Sequence, residues 1–131
     1  MDRKEHATNL HHSKYNCAQA VACTFADKAG LDEQDVFRAA EAFGFGMGSM
    51  KTCGALSGAA LIIGLVNSDG NLENPATKKD CYAKMKQVMT AFEEKNGSTV
   101  CAELKGVETG KVLRSCDGCI QDAVEILEKL I

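Results

Sequence analysis

The sequence has no tryptophan, one proline and few aromatic residues, and few of its segments alternate apolar with polar side chains. A half-buried β-strand needs that alternation, so its scarcity argues against a sheet-based domain. No run of about 18 apolar residues is free of glycine and polar breaks, which argues against a membrane span. Alanine, leucine, lysine and glutamate are plentiful, and they favour helix. The composition therefore predicts an all-α fold.

Charge is also close to balanced, with 15 basic and 18 acidic side chains and a formal net charge of −3. No basic stripe or aromatic platform indicates a nucleic-acid partner. The first residues lack the apolar stretch of a secretion signal, so we expect a cytoplasmic protein. With 131 residues, the chain is long enough for one compact domain with its own core. We predict a single domain over 1–131, with 1–12 as a loosely held N-terminal segment.

Apolar periodicity predicts a bundle of about five helices around a buried central helix. The central helix, 53–66, is apolar nearly all round and lies in a stretch without charge between Lys51 and Asp69. Asp32 and Asn74 are expected as N-terminal caps, the latter followed by Pro75. The predicted helices run over about 13–29, 32–43, 53–66, 74–94 and 115–131, with a short helix at 100–104.

Seven cysteines are the most informative feature of the sequence. In a reducing cytosol, so many thiols favour metal binding or redox chemistry over disulfide staples. Five of them are predicted at helix starts or loop edges: Cys17, Cys53, Cys101, Cys116 and Cys119. The partial positive charge and free amides of a helix start stabilise thiolate over thiol. Thiolate is both the nucleophile of disulfide exchange and a metal ligand, so this placement suits two chemistries.

The other candidate residues carry weaker signals. Cys81 lies on an apolar helix stripe and Cys23 lies off the main stripe, and both are interpreted as structural. The glycine-rich segment 44–54, which includes Gly54, could offer backbone amides to thiolate or sulfide. His6, His11 and His12 are interpreted as mobile surface residues, although a histidine ligand is an alternative. Lys51, close to Cys53, could favour a thiolate.

These spaced motifs together resemble a family of redox-active proteins named for the pattern Cys, Gly-Cys-Ala-x-x-Gly, Cys, Cys. The resemblance covers the chain from about residue 13 to its end. One departure is that glycine follows the central cysteine instead of preceding it, as Thr52-Cys53-Gly54-Ala55. The matching elements are Tyr15-Asn16-Cys17-Ala18, Phe43-Gly44-Phe45-Gly46 with Cys53-Gly54-Ala55-Leu56-Ser57-Gly58, Gly97-Ser98 with Cys101, and Cys116-Asp117-Gly118-Cys119.

The resemblance implies a redox role, and we expect Cys17, Cys53, Cys101 and Cys116 to share one site. Four thiolates could hold an iron–sulfur cluster, with Cys119 replacing or assisting Cys116 and Gly54 beside the cofactor. One alternative is metal-free thiol–disulfide chemistry, in which Cys116 attacks and Cys119 or Cys53 resolves. Another is a structural Cys₄ zinc site in an interaction module.

Haem is not expected, because Ile120 follows Cys119 where a Cys-x-x-Cys-His motif needs histidine. The electron donor or acceptor is expected to be another protein, of unknown identity. The glycine-edged apolar face is also compatible with a homodimer.

Overall fold

The computed structural model describes residues 2–131, and Met1 lies outside them. Within that range the chain forms eight α-helices and no β-strand, which confirms the predicted all-α class. None of these helices is both long enough and apolar enough to cross a membrane. The helices are α1 (Arg3–His12), α2 (Cys17–Cys23), α3 (Ala26–Ala29), α4 (Glu33–Ala40), α5 (Gly54–Asn67), α6 (Lys78–Asn96), α7 (Cys101–Lys105) and α8 (Cys116–Leu130).

Helix α5 is the buried central helix that the apolar pattern predicts. It contacts α2, α6 and α8, and Leu56, Ile62 and Ile63 are essentially inaccessible to solvent. Gly58 allows α2 to approach closely, because a β-carbon there would lie 2.6 Å from the carbonyl oxygen of Ala18. The small residues of α5 thus set the distance between the two helices, and with it the positions of their N-terminal ends.

The prediction of a loosely held segment over 1–12 is wrong for the described residues. Asp2 caps helix α1 by accepting the amide of Glu5 at 2.7 Å, and Ala7 is fully buried. The helix packs against α8, where Gln121 donates to the Thr8 hydroxyl at 3.1 Å. Most of the contacts that hold α1 in place are polar, so the apolar periodicity of the sequence does not predict this helix.

Two predicted helix starts are also corrected. The segment 13–29 is divided, because Asn16 and Gln19 form reciprocal capping bonds that start α2 at Cys17, and α3 begins only at Ala26. Helix α6 begins at Lys78 rather than at Asn74, since the side chain of Asn71 accepts the amide of Asn74 at 3.0 Å and holds it in a turn. Asp32 does precede α4, but its side chain makes no capping bond.

The glycine-rich segment between α4 and α5 forms a compact turn. Phe45, Met47 and Met50 have φ values of 56°, 60° and 55°, in the left-handed region that non-glycine residues rarely occupy. The amide of Lys51 donates to the carbonyl of Gly46 at 3.0 Å and closes the turn. This conformation places Phe45 beside the N-terminal ends of α2 and α7.

Candidate thiol redox site

Five cysteines from four helix starts line one cavity of about 180 Å³. Cys17, Cys101 and Cys116 are the first residues of α2, α7 and α8, and Cys53 immediately precedes α5. Cys119 lies one turn further along α8. All five sequence-predicted site cysteines are therefore brought together, and Gly54 also lines the cavity. Their role as ligands stays a prediction.

Cys17 occupies a place that only a glycine neighbour permits. A β-carbon at Gly54 would lie less than 3.0 Å from the Cys17 sulfur and at 3.0 Å from the carbonyl oxygen of Phe43. The backbone amide of Phe45 donates to the Cys17 sulfur, as the sequence suggested for this glycine-rich segment. Burial nevertheless raises the pKa of Cys17, with the Phe45 amide opposing that effect.

Cys53 and Cys101 are held side by side by a short antiparallel bridge between Thr52 and Val100. The amide of Cys53 donates to the carbonyl of Thr99 at 2.8 Å, and the amide of Cys101 donates to the carbonyl of Lys51 at 2.6 Å. These bonds fix the distance between two cysteines that are far apart in sequence. The start of α5 and the start of α7 consequently face the same cavity.

Cys116 and Cys119 are positioned by the start of α8. The hydroxyl of Ser115 accepts the amide of Gly118 at 3.0 Å and caps the helix. Arg114 folds over Gly118, where a β-carbon would lie 2.8 Å from its Cδ. The guanidinium of Arg114 donates to Asp122, which is 2 % exposed, at 3.0 and 3.2 Å. The ion pair thus holds a positive charge at the wall of the cavity.

Cys53 is the cysteine whose environment most favours thiolate. A hydrogen bond from the Cys119 thiol lowers the pKa of Cys53 against the opposing effect of burial. The amides of Ala55 and Leu56 at the start of α5 and the charge of Lys105 act in the same direction. The same contact and burial raise the pKa of Cys119, which therefore keeps its proton. Burial also raises the pKa of Cys101. The contact between α5 and α8 thus favours thiolate at Cys53 and thiol at Cys119.

Six further residues line the cavity that were not predicted as site residues: His11, Asn16, Phe45, Leu104, Lys105 and Arg114. Lys105 follows Cys101 by four positions on α7, a spacing that could have revealed it. Its ammonium lies 4.7 Å from the centre of the Phe45 ring. His11, interpreted as mobile, instead donates to Asp117 at 2.7 Å, and His6 bonds Thr24 at 2.9 Å. No local sequence signal connects His11 with Asp117, more than a hundred residues away.

Cys23 and Cys81 lie outside the cavity. Cys23 is buried, with its sulfur 3.9 Å from the carbonyl oxygen of Glu33. Cys81 packs against the edge of the core and accepts the side-chain amide of Asn67 at 3.5 Å. Both positions agree with the interpretation of Cys23 and Cys81 as structural residues. Variants at these two positions are therefore matched controls for variants of the cavity cysteines.

The spacing of the sulfurs bears on which group the cavity fits. Across residues 2–131, no three cysteine sulfurs lie within 4.8 Å of one another. A tetrahedral zinc ion with bonds of about 2.3 Å needs its four sulfurs about 3.8 Å apart. An iron–sulfur cluster places iron and sulfide between its thiolate ligands, so it requires a wider ring. The described sulfurs are therefore not placed for one tetrahedral ion without a change of position.

One comparison with known proteins gave a match. A family model described as "Putative redox-active protein (C_GCAxxG_C_C)" matches residues 15–130. Neither the curated proteins nor the solved structures contain a match to the chain. The matched residues include every cysteine that lines the cavity.

Proposed function

The chain belongs to the C_GCAxxG_C_C family of redox-active proteins, and from that premise we propose that its five-cysteine cavity is the redox centre. We propose further that the cavity holds an iron–sulfur cluster and that the protein transfers electrons. The single observation that carries the proposal is the convergence of five cysteines on one cavity.

The size of the cavity favours a small inorganic group. Its volume of about 180 Å³ is below the roughly 300–1,000 Å³ of sites for drug-sized organic ligands. A flavin or nicotinamide cofactor would therefore not fit without rearrangement. Phe45 and Leu104 provide apolar wall, and the exclusion of water by such a wall is one determinant of a cluster's reduction potential.

Cys17, Cys53, Cys101 and Cys116 would hold the cluster, since each comes from a different helix start. A thiolate-ligated cluster supplies reversible electron transfer, and hydrogen bonds to its sulfurs tune the potential. In this chain, Cys119 would donate such a bond to Cys53, and the Phe45 amide would donate one to Cys17. Lys105 and Arg114 would balance the negative charge of the thiolates.

The test is iron and acid-labile sulfide analysis with a visible spectrum, on protein purified without oxygen. We expect a brown protein with iron and sulfide in similar amounts. Cys→Ser variants at 17, 53, 101 and 116 should each lose most of the iron. The matched controls C23S and C81S should keep it, because neither sulfur faces the cavity. A colourless wild-type protein without iron would contradict the cluster.

Thiol–disulfide exchange is a second candidate, favoured by the contact between Cys53 and Cys119. The structure favours Cys53 as the attacking thiolate, instead of the Cys116 expected from the sequence. Cys53 would attack a substrate disulfide and release one thiolate, and Cys119 would then attack the Cys53 sulfur and release the second. The Cys119 proton would pass to a leaving thiolate, so a disulfide is reduced as the Cys53–Cys119 bond forms. This pathway is less favoured, because the two cysteines are only 6 % and 3 % exposed.

Mass mapping after equilibration in a glutathione redox buffer separates the two candidates. Exchange chemistry predicts a specific, reversible Cys53–Cys119 disulfide in metal-free protein and turnover of a small disulfide substrate. Absence of that disulfide would exclude exchange. The same disulfide without turnover, in a protein that binds iron and sulfide, would leave the cluster as the function.

A further inference from the structure

A second cluster of metal-ligating side chains lies where α1 meets the start of α8. The carboxylate of Asp117 accepts from His11 Nδ1 through one oxygen and from His12 Nε2 through the other, both at 2.7 Å. One ligand atom from each of the three residues lies within 4.8 Å of the other two. Two imidazoles and a carboxylate thus converge from segments more than a hundred residues apart.

From this geometry we propose that His11, His12 and Asp117 bind a divalent first-row transition-metal ion, separately from the thiol centre. Imidazole nitrogens and a carboxylate suit the borderline ions of the series from iron to zinc, and two histidines with one carboxylate leave further positions open. The side chains of His11, His12 and Asp117 are 27 %, 61 % and 35 % exposed. Water can therefore complete the coordination shell.

The present hydrogen-bonded arrangement could accept the ion through side-chain rotation. An ion about 2.1 Å from each ligand atom would hold neighbouring ligands about 3 Å apart in octahedral geometry. The nitrogen–oxygen distances are 2.7 Å, but each histidine bonds a different oxygen of Asp117. The side chains would therefore rotate as the ion replaces the shared protons, so that both ring nitrogens and the carboxylate face the ion. The three ligand groups are already neighbours without the ion, within 4.8 Å of one another.

The position of the site gives the ion a defined structural effect. Asp117 lies between Cys116 and Cys119, and His11 lines the thiol cavity. A bound ion would fasten the last turn of α1 to the first turn of α8 with coordinate bonds. It would thereby fix one wall of the thiol cavity without using any of its sulfurs.

Anaerobic titration of the full chain with Co²⁺ tests the proposal, because cobalt bound by thiolate shows an intense charge-transfer band that imidazole and carboxylate do not give. We expect the wild-type protein to bind a cobalt ion without that band, in addition to any held by the cysteines. The variant H11Q/H12Q should bind this ion at least about tenfold more weakly, since loss of an outer-shell partner alone costs 10–100-fold.

Two further variants keep the test decisive. H12Q changes the most exposed ligand and is expected to fold normally while weakening the same ion. H6Q is the matched control, because His6 lies on the same helix but bonds Thr24 instead. Equal cobalt affinity in wild type, H12Q and H11Q/H12Q would overturn the proposal, as would a charge-transfer band from every bound cobalt. Failure of the thiol centre to hold iron would not affect either outcome, because the two sites share no ligand.

Discussion

Gly54 provides the sharpest test of how the thiol cavity is assembled. In Gly54→Ala the new β-carbon would lie less than 3.0 Å from the Cys17 sulfur, whereas ordinary contacts are about 3.5–4 Å. The sulfur must therefore move by at least about 0.5–1 Å. Overpacking of this kind costs about 1–3 kcal/mol, which exceeds the small helix-propensity gain in the first turn of α5. We expect a net loss of stability and displacement of Cys17 from the cavity.

Gly64→Ala in the same helix is the matched control. No atom lies within 4 Å of the β-carbon that it would add, so the substitution should stabilise the protein by about 0.8–1 kcal/mol through helix propensity. Urea unfolding of the reduced, metal-free proteins measures both effects. The two glycine-to-alanine changes should thus have opposite signs.

A double-mutant cycle assigns the cost to the predicted contact. Gly54→Ala should cost less in a Cys17→Ala background, by an interaction energy of about 0.5–3 kcal/mol, because the sulfur is absent. Iron content gives a second measurement, which should fall in G54A and stay unchanged in G64A. The reasoning is refuted if G54A is as stable as wild type, or if its cost is the same with and without Cys17.

Substitutions at three other positions test the contacts of Cys53, Asp122 and Gly58. In metal-free protein, the alkylation rate of Cys53 should rise with pH around a midpoint below the ordinary cysteine pKa of about 8.5. C119A should raise that midpoint because it removes the hydrogen bond to the Cys53 sulfur. C119S should leave the midpoint unchanged, because its hydroxyl can still donate to that sulfur. Asp122→Asn should cost about 1–3 kcal/mol of unfolding free energy at pH 7. Against the opposing effect of burial, hydrogen bonds from Arg114 and Lys95 lower the pKa of Asp122 in the folded protein. The stability advantage of wild type over Asp122→Asn should therefore persist above about pH 4 and disappear as pH falls further. An advantage that does not change with pH would contradict this. Gly58→Ala should destabilise by about 1–3 kcal/mol through its clash with the Ala18 carbonyl, and a gain in urea resistance would show that α2 and α5 are further apart.

Much of the thiol site could be predicted from local sequence signals. Cys116 follows a capping serine, and this helix start was predicted. Asn16 caps α2 just before Cys17, whereas the apolar pattern placed the start of that helix at about residue 13. The apolar, charge-free α5 is recognisable as the central helix, which places Cys53 at its buried end. The all-α class follows from the same patterns.

The remaining features depend on contacts that sequence patterns do not encode. Helix α1 is held largely by polar contacts to α8, so periodicity does not reveal it. The hydrogen bond between Cys53 and Cys119 results from the packing of α5 against α8. The sequence suggested Cys116 as the attacking thiol, and it gives no sign of the contact that lowers the pKa of Cys53.

The left-handed turn at Phe45 also could not be predicted from local sequence patterns. Glycines at 44, 46 and 48 indicate a segment without regular structure, but they do not predict that Phe45 and Met47 adopt positive φ. The turn gains support from its contacts, including the approach of Gly46 to Cys101, where a β-carbon would lie 2.9 Å from the Cys101 Cβ. Strained backbone of this kind is common at functional sites.

The most direct test of the central claim is X-ray absorption at the iron edge of protein purified without oxygen. An iron–sulfur cluster in the five-cysteine cavity predicts a first shell of sulfur around iron and a second shell from neighbouring iron. Both shells should be absent from C53S and present in C23S. Iron surrounded only by oxygen and nitrogen, or no iron bound at all, would contradict the account.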